Sequence, residues 1–281
     1  MTARSWHWRR WSFHRPAQIM GILNVTPDSF SDGGLHLDHQ RAIIHGLAMA
    51  KDGAAWIDVG GESTRPGSTP VSADVELARV LPVIRALAAA GVAVSIDTSK
   101  AEVAEVCVAS GAQMVNDVTA GGDAAMAGVV ARHGVPWVIM HLRGTPATMQ
   151  QNPTYSAVVS EVGDHLQQRL AAAVLAGVDP SQILIDPGIG FGKSSDHNLA
   201  LLRGLDQLEA RFDRPVVVGI SRKSFLPRLL GRDVSPAERD AASHVLHGLL
   251  APRCALLRVH DVRGCRDALR LTAILDGDEP C

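Results

Sequence analysis

No apolar run in this chain approaches the roughly 18 residues of a membrane helix, and the basic, aromatic start lacks the apolar stretch of a secretory signal. An excess of one charge is missing too. The 27 Lys and Arg nearly balance the 29 Asp and Glu, for a formal net charge of −2, which removes the electrostatic case for nucleic acid. Cysteine is scarce: Cys107, Cys254, Cys265 and Cys281 show no CxxC or CxxH spacing, so metal–thiolate and disulfide frameworks are not expected and reduced cytoplasmic thiols are. No low-complexity linker interrupts the sequence, so residues 1–281 read as one domain, with 1–17 as an N-terminal cap. No G-x-G-x-x-G follows the first apolar run, against a dinucleotide-binding doubly wound fold. What remains is a chain 46% hydrophobic and 20% charged, enough for a large core.

One unit recurs: a short β-branched or apolar run, a polar loop, then an amphipathic helix. The predicted strands are Ile19–Leu23, Trp56–Val59, Val92–Ile96, Met114–Val115, Trp137–Met140, Ile183–Ile185, Val216–Gly219 and Leu256–Val259. Helices fall between them, including 39–51, 157–176, 198–210 and 237–250, and Gly91, Gly111, Gly134 and Gly177 stand where helices should stop. Near-continuous apolar strands alternating with helices imply a parallel sheet. Eight units in this length fit an α/β fold closed as a single (β/α)8 TIM barrel, with an N-terminal hairpin ahead of it. Trp6, Trp8 and Trp11 suit that hairpin, capping one end; a nucleic-acid or membrane arm is the other reading of them.

Barrel chemistry sits at the C-terminal strand ends. Taken in order, those ends carry Asn24; the run from Asp58 through Glu62-Ser63-Thr64-Arg65-Pro66; Asp97; Asn116-Asp117; His141; Asp186-Pro-Gly-Ile-Gly-Phe-Gly-Lys193; Ser221-Arg-Lys-Ser-Phe225; and Arg258-Val-His260-Asp261. Any single Asp fits a helix N-cap, but polar groups at all eight ends exceed what capping requires. Asp97, Asn116 and Asp186 are short donors and acceptors suited to the edge of a flat polar heterocycle. Arg65, Lys223, Arg258 and His260 supply local positive charge for a di- or triphosphate or a carboxylate. Ser224 follows Lys223 at a strand-to-helix junction, where backbone N–H groups take anions. Phe30, Pro66 and Phe191 are loop-borne apolar groups that can wall a slot for an aromatic second substrate. Lys223 also fits a Schiff-base lysine, and His141 fits either a metal ligand or a structural role.

Residues 20–34 (MGILNVTPDSFSDGG), Asp58–Gly67, Asp186–Lys193 with Ser221–Phe225, and Arg258–Val262 resemble, in collinear order, the signatures of the dihydropteroate synthase family of pterin-binding barrels. The resemblance implies condensation of 6-hydroxymethyl-7,8-dihydropterin diphosphate with 4-aminobenzoate, inhibition by sulfonamides and a homodimer. It implies that Asp97, Asn116, Asp186 and Lys223 hold the pterin, with Arg258 on its face. Asn24 would bind a Mg2+ that bridges the diphosphate, with Ser63, Thr64, Arg65, Arg258 and His260 around that leaving group. Phe30, Pro66, Phe191, Lys223 and Ser224 would take 4-aminobenzoate. Asp97, Lys223, Arg258 and His260 are the implied catalytic set, in a substitution with early loss of diphosphate. Departures from the family pattern at Ala242-Ser243-His244 and Ala251–Cys254 are expected on scaffold or subunit interface. A methyltetrahydrofolate-dependent methyltransferase and a non-catalytic pterin-binding paralogue are the alternative readings.

Overall fold

A computed structural model describes residues 4–26, 34–63, 68–145, 148–235 and 238–277. The chain opens with an antiparallel hairpin of β1 (Ser5–Trp8) and β2 (Trp11–His14). Eight parallel strands follow: β3 (Gln18–Asn24), β4 (Trp56–Gly60), β5 (Val94–Asp97), β6 (Met114–Asp117), β7 (Trp137–Met140), β8 (Ile183–Asp186), β9 (Val217–Val218) and β10 (Leu256–Val259). They pair in the order β8-β7-β6-β5-β4-β3-β10-β9, and a parallel bridge between Ile185 and Val216 brings the two edges together. The helices are α1 (Gly34–Lys51), α2 (Ala73–Ala89), α3 (Ala101–Ala109), α4 (Met126–His133), α5 (Val158–Leu175), α6 (Ser195–Arg203), α7 (Leu205–Phe212), α8 (Leu226–Leu230), α9 (Arg239–Leu250) and α10 (Val262–Leu275). This is the (β/α)8 barrel expected from the sequence, with every predicted strand in place.

The period-2 alternation of a strand sorts residues into two layers. Ile57, Val59, Ile96, Val115, Ile139, Ile185, Val218, Leu257 and Val259 join the helices in the outer core. Met20, Trp56, Met114, Val138, Leu184, Val217 and Leu256 fill the barrel floor, with Phe13 of the hairpin packed among them. The Phe13 ring lies against Trp56 with centroids 6.1 Å apart, and the Trp8 indole N–H donates to the Gly134 carbonyl at 3.0 Å. Trp6 and Trp11 pack on the same floor. Above the floor the inner positions turn polar: Asp58, Ser95, Asp97, Asn116, Asp186 and Arg258 continue those same alternating registers.

One helix expectation is corrected. Residues 198–210 are not one helix: α6 ends on Gly204 and α7 starts immediately after it. A Cβ at Gly204 would come within 3.0 Å of Val159 on α5, so close packing of α5 requires glycine where the two helices meet. No described helix is long and apolar enough to cross a membrane.

Candidate active site

The inner face at the C-terminal end of the strands holds one continuous polar network. Arg258 on β10 spans the barrel: its Nε donates to Asp58 Oδ2 at 2.6 Å and its second guanidinium nitrogen donates to Asp97 Oδ2 at 2.5 Å. Asp58 Oδ2 also accepts from Asn116 Nδ2 at 2.9 Å. Two carboxylates therefore share one guanidinium in a buried setting. Burial, opposed by Arg258 and reinforced by Asp58, pushes the Asp97 carboxyl up to about 7. The same carboxylates push Arg258 further above its usual range. Asp186 is held by the Gly188 N–H at 2.7 Å, and burial raises its pKa.

Lys223 enters from the turn after β9. Its Nζ lies 4.1 Å from the centroid of the Phe191 ring, and burial pushes it down to about 8 against the pull of Asp186. That turn is strained at Arg222, where φ is 58°, and it is braced by Asp240, which takes two guanidinium bonds from Arg222 at 2.8 and 2.7 Å. Ser224 follows, exposed, two residues before α8. His260 places its backbone N–H 3.2 Å and its Nδ1 3.1 Å from Ser221 Oγ. Asn24 is half-buried at the tip of β3, in register with Gly60. Ser63 lies beyond β4 on a segment tethered by Lys100, which pairs with Glu62 and, at 2.6 Å, with Glu76. Phe30, Thr64, Arg65 and Pro66 lie outside the described residues.

A family model for pterin binding enzymes matches residues 20–260. Dihydropteroate synthase of Mycobacterium leprae (strain TN) is 50% identical over 263 residues, 91% of this chain and 92% of its own length. The chain belongs to the dihydropteroate synthase family. Xanthomonas albilineans dihydropteroate synthase with 4-aminobenzoic acid superposes with a TM-score of 0.89 at 43% identity, over 99% of this chain and 100% of that one. Its complex with 7,8-dihydropteroate gives a TM-score of 0.83 at 43% identity, over 94% and 95% of the two chains.

Within this family barrel, three residues carry more than their sequence positions suggested. Asp58 reads as a strand-end N-cap, yet it is the hub that orients both Asn116 and Arg258, two groups brought to it only by barrel closure. Ser221 reads as part of the anion-binding run; its hydroxyl supports His260. Ser243, expected on scaffold or interface, is buried and accepts from the Arg222 N–H at 3.2 Å, so it supports the turn that carries Lys223. Among the described residues no group of three or more His, Cys, Asp or Glu is placed to hold a metal. His141, read as either a metal ligand or structural, pairs its Nδ1 with Lys193 Nζ at 2.9 Å.

Proposed function

We propose that this site joins 6-hydroxymethyl-7,8-dihydropterin diphosphate to 4-aminobenzoate, giving 7,8-dihydropteroate and diphosphate. The observation that carries the reading is the Asp58–Arg258–Asp97 bridge with Asn116 locked onto it. Because Asp58 accepts from Asn116 Nδ2, the amide oxygen of Asn116 is the acceptor this residue has left to offer a ligand. With Asp97 and Asp186 it offers three acceptors to the amino and ring N–H groups of a pterin, and Lys223 offers a donor. Buried groups of this kind exclude ligands that leave them unpaired. Arg258, held flat by two carboxylates, stacks on the ring. As the methylene carbon gains positive charge, the Asp97 carboxylate offsets the charge that spreads into the ring. The aniline nitrogen is already nucleophilic, so the attack needs positioning rather than a strong base.

Asn24 fits as the protein ligand of Mg2+. Its amide oxygen is a hard, neutral donor, and Mg2+ commonly binds through one or two side chains and substrate phosphates rather than through a carboxylate cage. When bound, Mg2+ supplies charge neutralisation for the departing diphosphate. His260, Ser63, Thr64 and Arg65 are assigned to the same diphosphate. Buried free thiols at Cys107, Cys254 and Cys265 suit a reducing, cytoplasmic setting.

Ser224 is assigned to the 4-aminobenzoate carboxylate, and Phe30, Pro66 and Phe191 to the walls of that slot. Replacing Ser224 by Ala should raise the KM for 4-aminobenzoate about tenfold, the worth of one hydrogen bond to a charged group, with kcat nearly unchanged. Loss of diphosphate release in the absence of 4-aminobenzoate would sink this role. The whole reading is tested by measuring diphosphate release with Mg2+, the pterin diphosphate and 4-aminobenzoate, omitting each in turn. Release that depends on Mg2+ and rises with 4-aminobenzoate, with dihydropteroate as product, supports it; tight pterin binding without turnover does not.

A homodimer is proposed through α9 and α10, which pack side by side. They expose Val245 (66%), Leu249 (65%), Leu271 (63%) and Leu275 (86%), an apolar face that a second copy of the chain would cover. Light scattering should give twice the chain mass for the native protein and a single mass for a Val245→Glu, Leu249→Glu variant. A native monomer would rule the proposal out.

A further inference from the structure

We propose that Lys193 is a positioning residue that sets the 4-aminobenzoate slot by bracing the Phe191 backbone against the end of β7. This rests on the reading of the site given above. Lys193 is 3% exposed; among the described residues Asp186 is the carboxylate that acts on it, without a direct ion pair. Its Nζ lies 2.9 Å from the Phe191 carbonyl, 2.9 Å from His141 Nδ1 and 3.4 Å from the His141 carbonyl. A buried cation whose direct partners are neutral groups is costly. Methionine would fill the same volume without that cost, so the N–H groups are what the position requires.

The segment it holds has little stiffness of its own. Gly188, Gly190 and Gly192 alternate with Ile189 and Phe191, and all three glycines have positive φ, at 69°, 83° and 64°. Gly188 also lets the strands close: a Cβ there would fall 1.9 Å from the His141 carbonyl. Outside braces fix the segment's other points. Gly190 N–H donates to Asn198 at 2.8 Å, the Gly190 carbonyl accepts from Gln150 at 2.7 Å, and the Gly192 carbonyl accepts from Tyr155 at 2.9 Å. The Phe191 N–H turns back to the Gly188 carbonyl at 3.1 Å, while at the Phe191 carbonyl the brace is Lys193, and the Phe191 ring is the one that lies against the Lys223 ammonium.

The brace tolerates a change of charge. Burial pushes Lys193 down to about 7, while His141 is pushed down to about 3 and stays neutral. As an ammonium, Lys193 donates to both carbonyls and to the bare Nδ1 of His141. As an amine, it keeps two N–H groups for the carbonyls and accepts from His141 in its other tautomer. All partners are satisfied in both states, so the wall holds its place across neutral pH.

The test is Lys193→Met, which keeps the stem and deletes the donors. A wall misplaced by about 1 Å changes efficiency by up to about a hundredfold. The KM for 4-aminobenzoate should therefore rise at least tenfold, with kcat and the calorimetric Kd for the pterin diphosphate within about threefold of wild type. In Lys193→Ala, propylamine added to the buffer should lower the raised KM for 4-aminobenzoate, which a merely structural role would not allow. An unchanged KM in Lys193→Met, an equal loss of affinity for both substrates, or no response of Lys193→Ala to the amine overturns the assignment. Wild-type protein that makes no dihydropteroate overturns the proposed function instead.

Discussion

Arg258→Met should abolish turnover and lower stability by about 3–5 kcal/mol, the usual consequence of leaving buried charge without its partner. Among the described residues Arg258 is the cation that joins Asp58 on β4 to Asp97 on β5, and Asp58 is fully buried. Removing the guanidinium leaves two largely buried carboxyls facing each other, and it removes the planar group proposed to stack on the pterin. Methionine keeps much of the stem volume, so the loss reports on charge and hydrogen bonds rather than on a cavity. Adding Asp97→Asn to Arg258→Met should recover part of the stability, because only one buried carboxylate then lacks a partner, while turnover stays absent. Denaturant unfolding and diphosphate release measure the two effects separately. If Arg258→Met is as stable as wild type, the bridge is not what organises the barrel mouth.

Much of this was legible in the residues, for a physical reason. Strand cores such as Trp137–Met140 are continuous apolar runs because both faces of a parallel barrel are buried. The sudden polar group at each end therefore stands out. Asp97, Asn116, Asp186 and Arg258 were found in this way, and the barrel puts all four on its inner face. Pairings across the barrel were not legible. Asp58 and Arg258 are 200 residues apart, and local pattern says nothing of which strand end faces which. Asp58 therefore looked like any other strand-end Asp. Lys193 was hidden for a related reason: it closes a glycine-rich motif, where a lysine reads as solvated, and only the fold shows it buried against two carbonyls. The break at Gly204 is not legible locally because a lone glycine is tolerated within a helical pattern; the neighbour that would crowd a side chain there, Val159, comes from another element.

Asp97→Asn should lower kcat/KM for the pterin diphosphate by about 100- to 1,000-fold at pH 8, the scale of losing one preorganised charge at the reacting centre, and it should also change the pH profile. Asp97 is pushed up to about 7 because burial disfavours its charge, with Arg258 opposing and Asp58 adding to the rise. In the free enzyme the group is thus largely protonated at pH 6 and ionised at pH 8. If the carboxylate is the active form, kcat/KM rises with pH through about 7, since that parameter reports ionisations of the free enzyme. Stability runs the other way. The folded state holds this proton more tightly than the unfolded chain, so the group's contribution is complete below the ordinary carboxylate pKa and is lost as pH rises through about 7. Activity and stability should therefore diverge between pH 5 and pH 8 in the wild type. In Asp97→Asn that opposition should shrink: the rise in kcat/KM near pH 7 should flatten, and the variant should gain stability relative to wild type at pH 8, where Arg258 and Asp58 are left as a balanced pair. A variant that retains the full rise through pH 7 would assign that ionisation to another group and remove Asp97 from the role of charge-offsetting carboxylate.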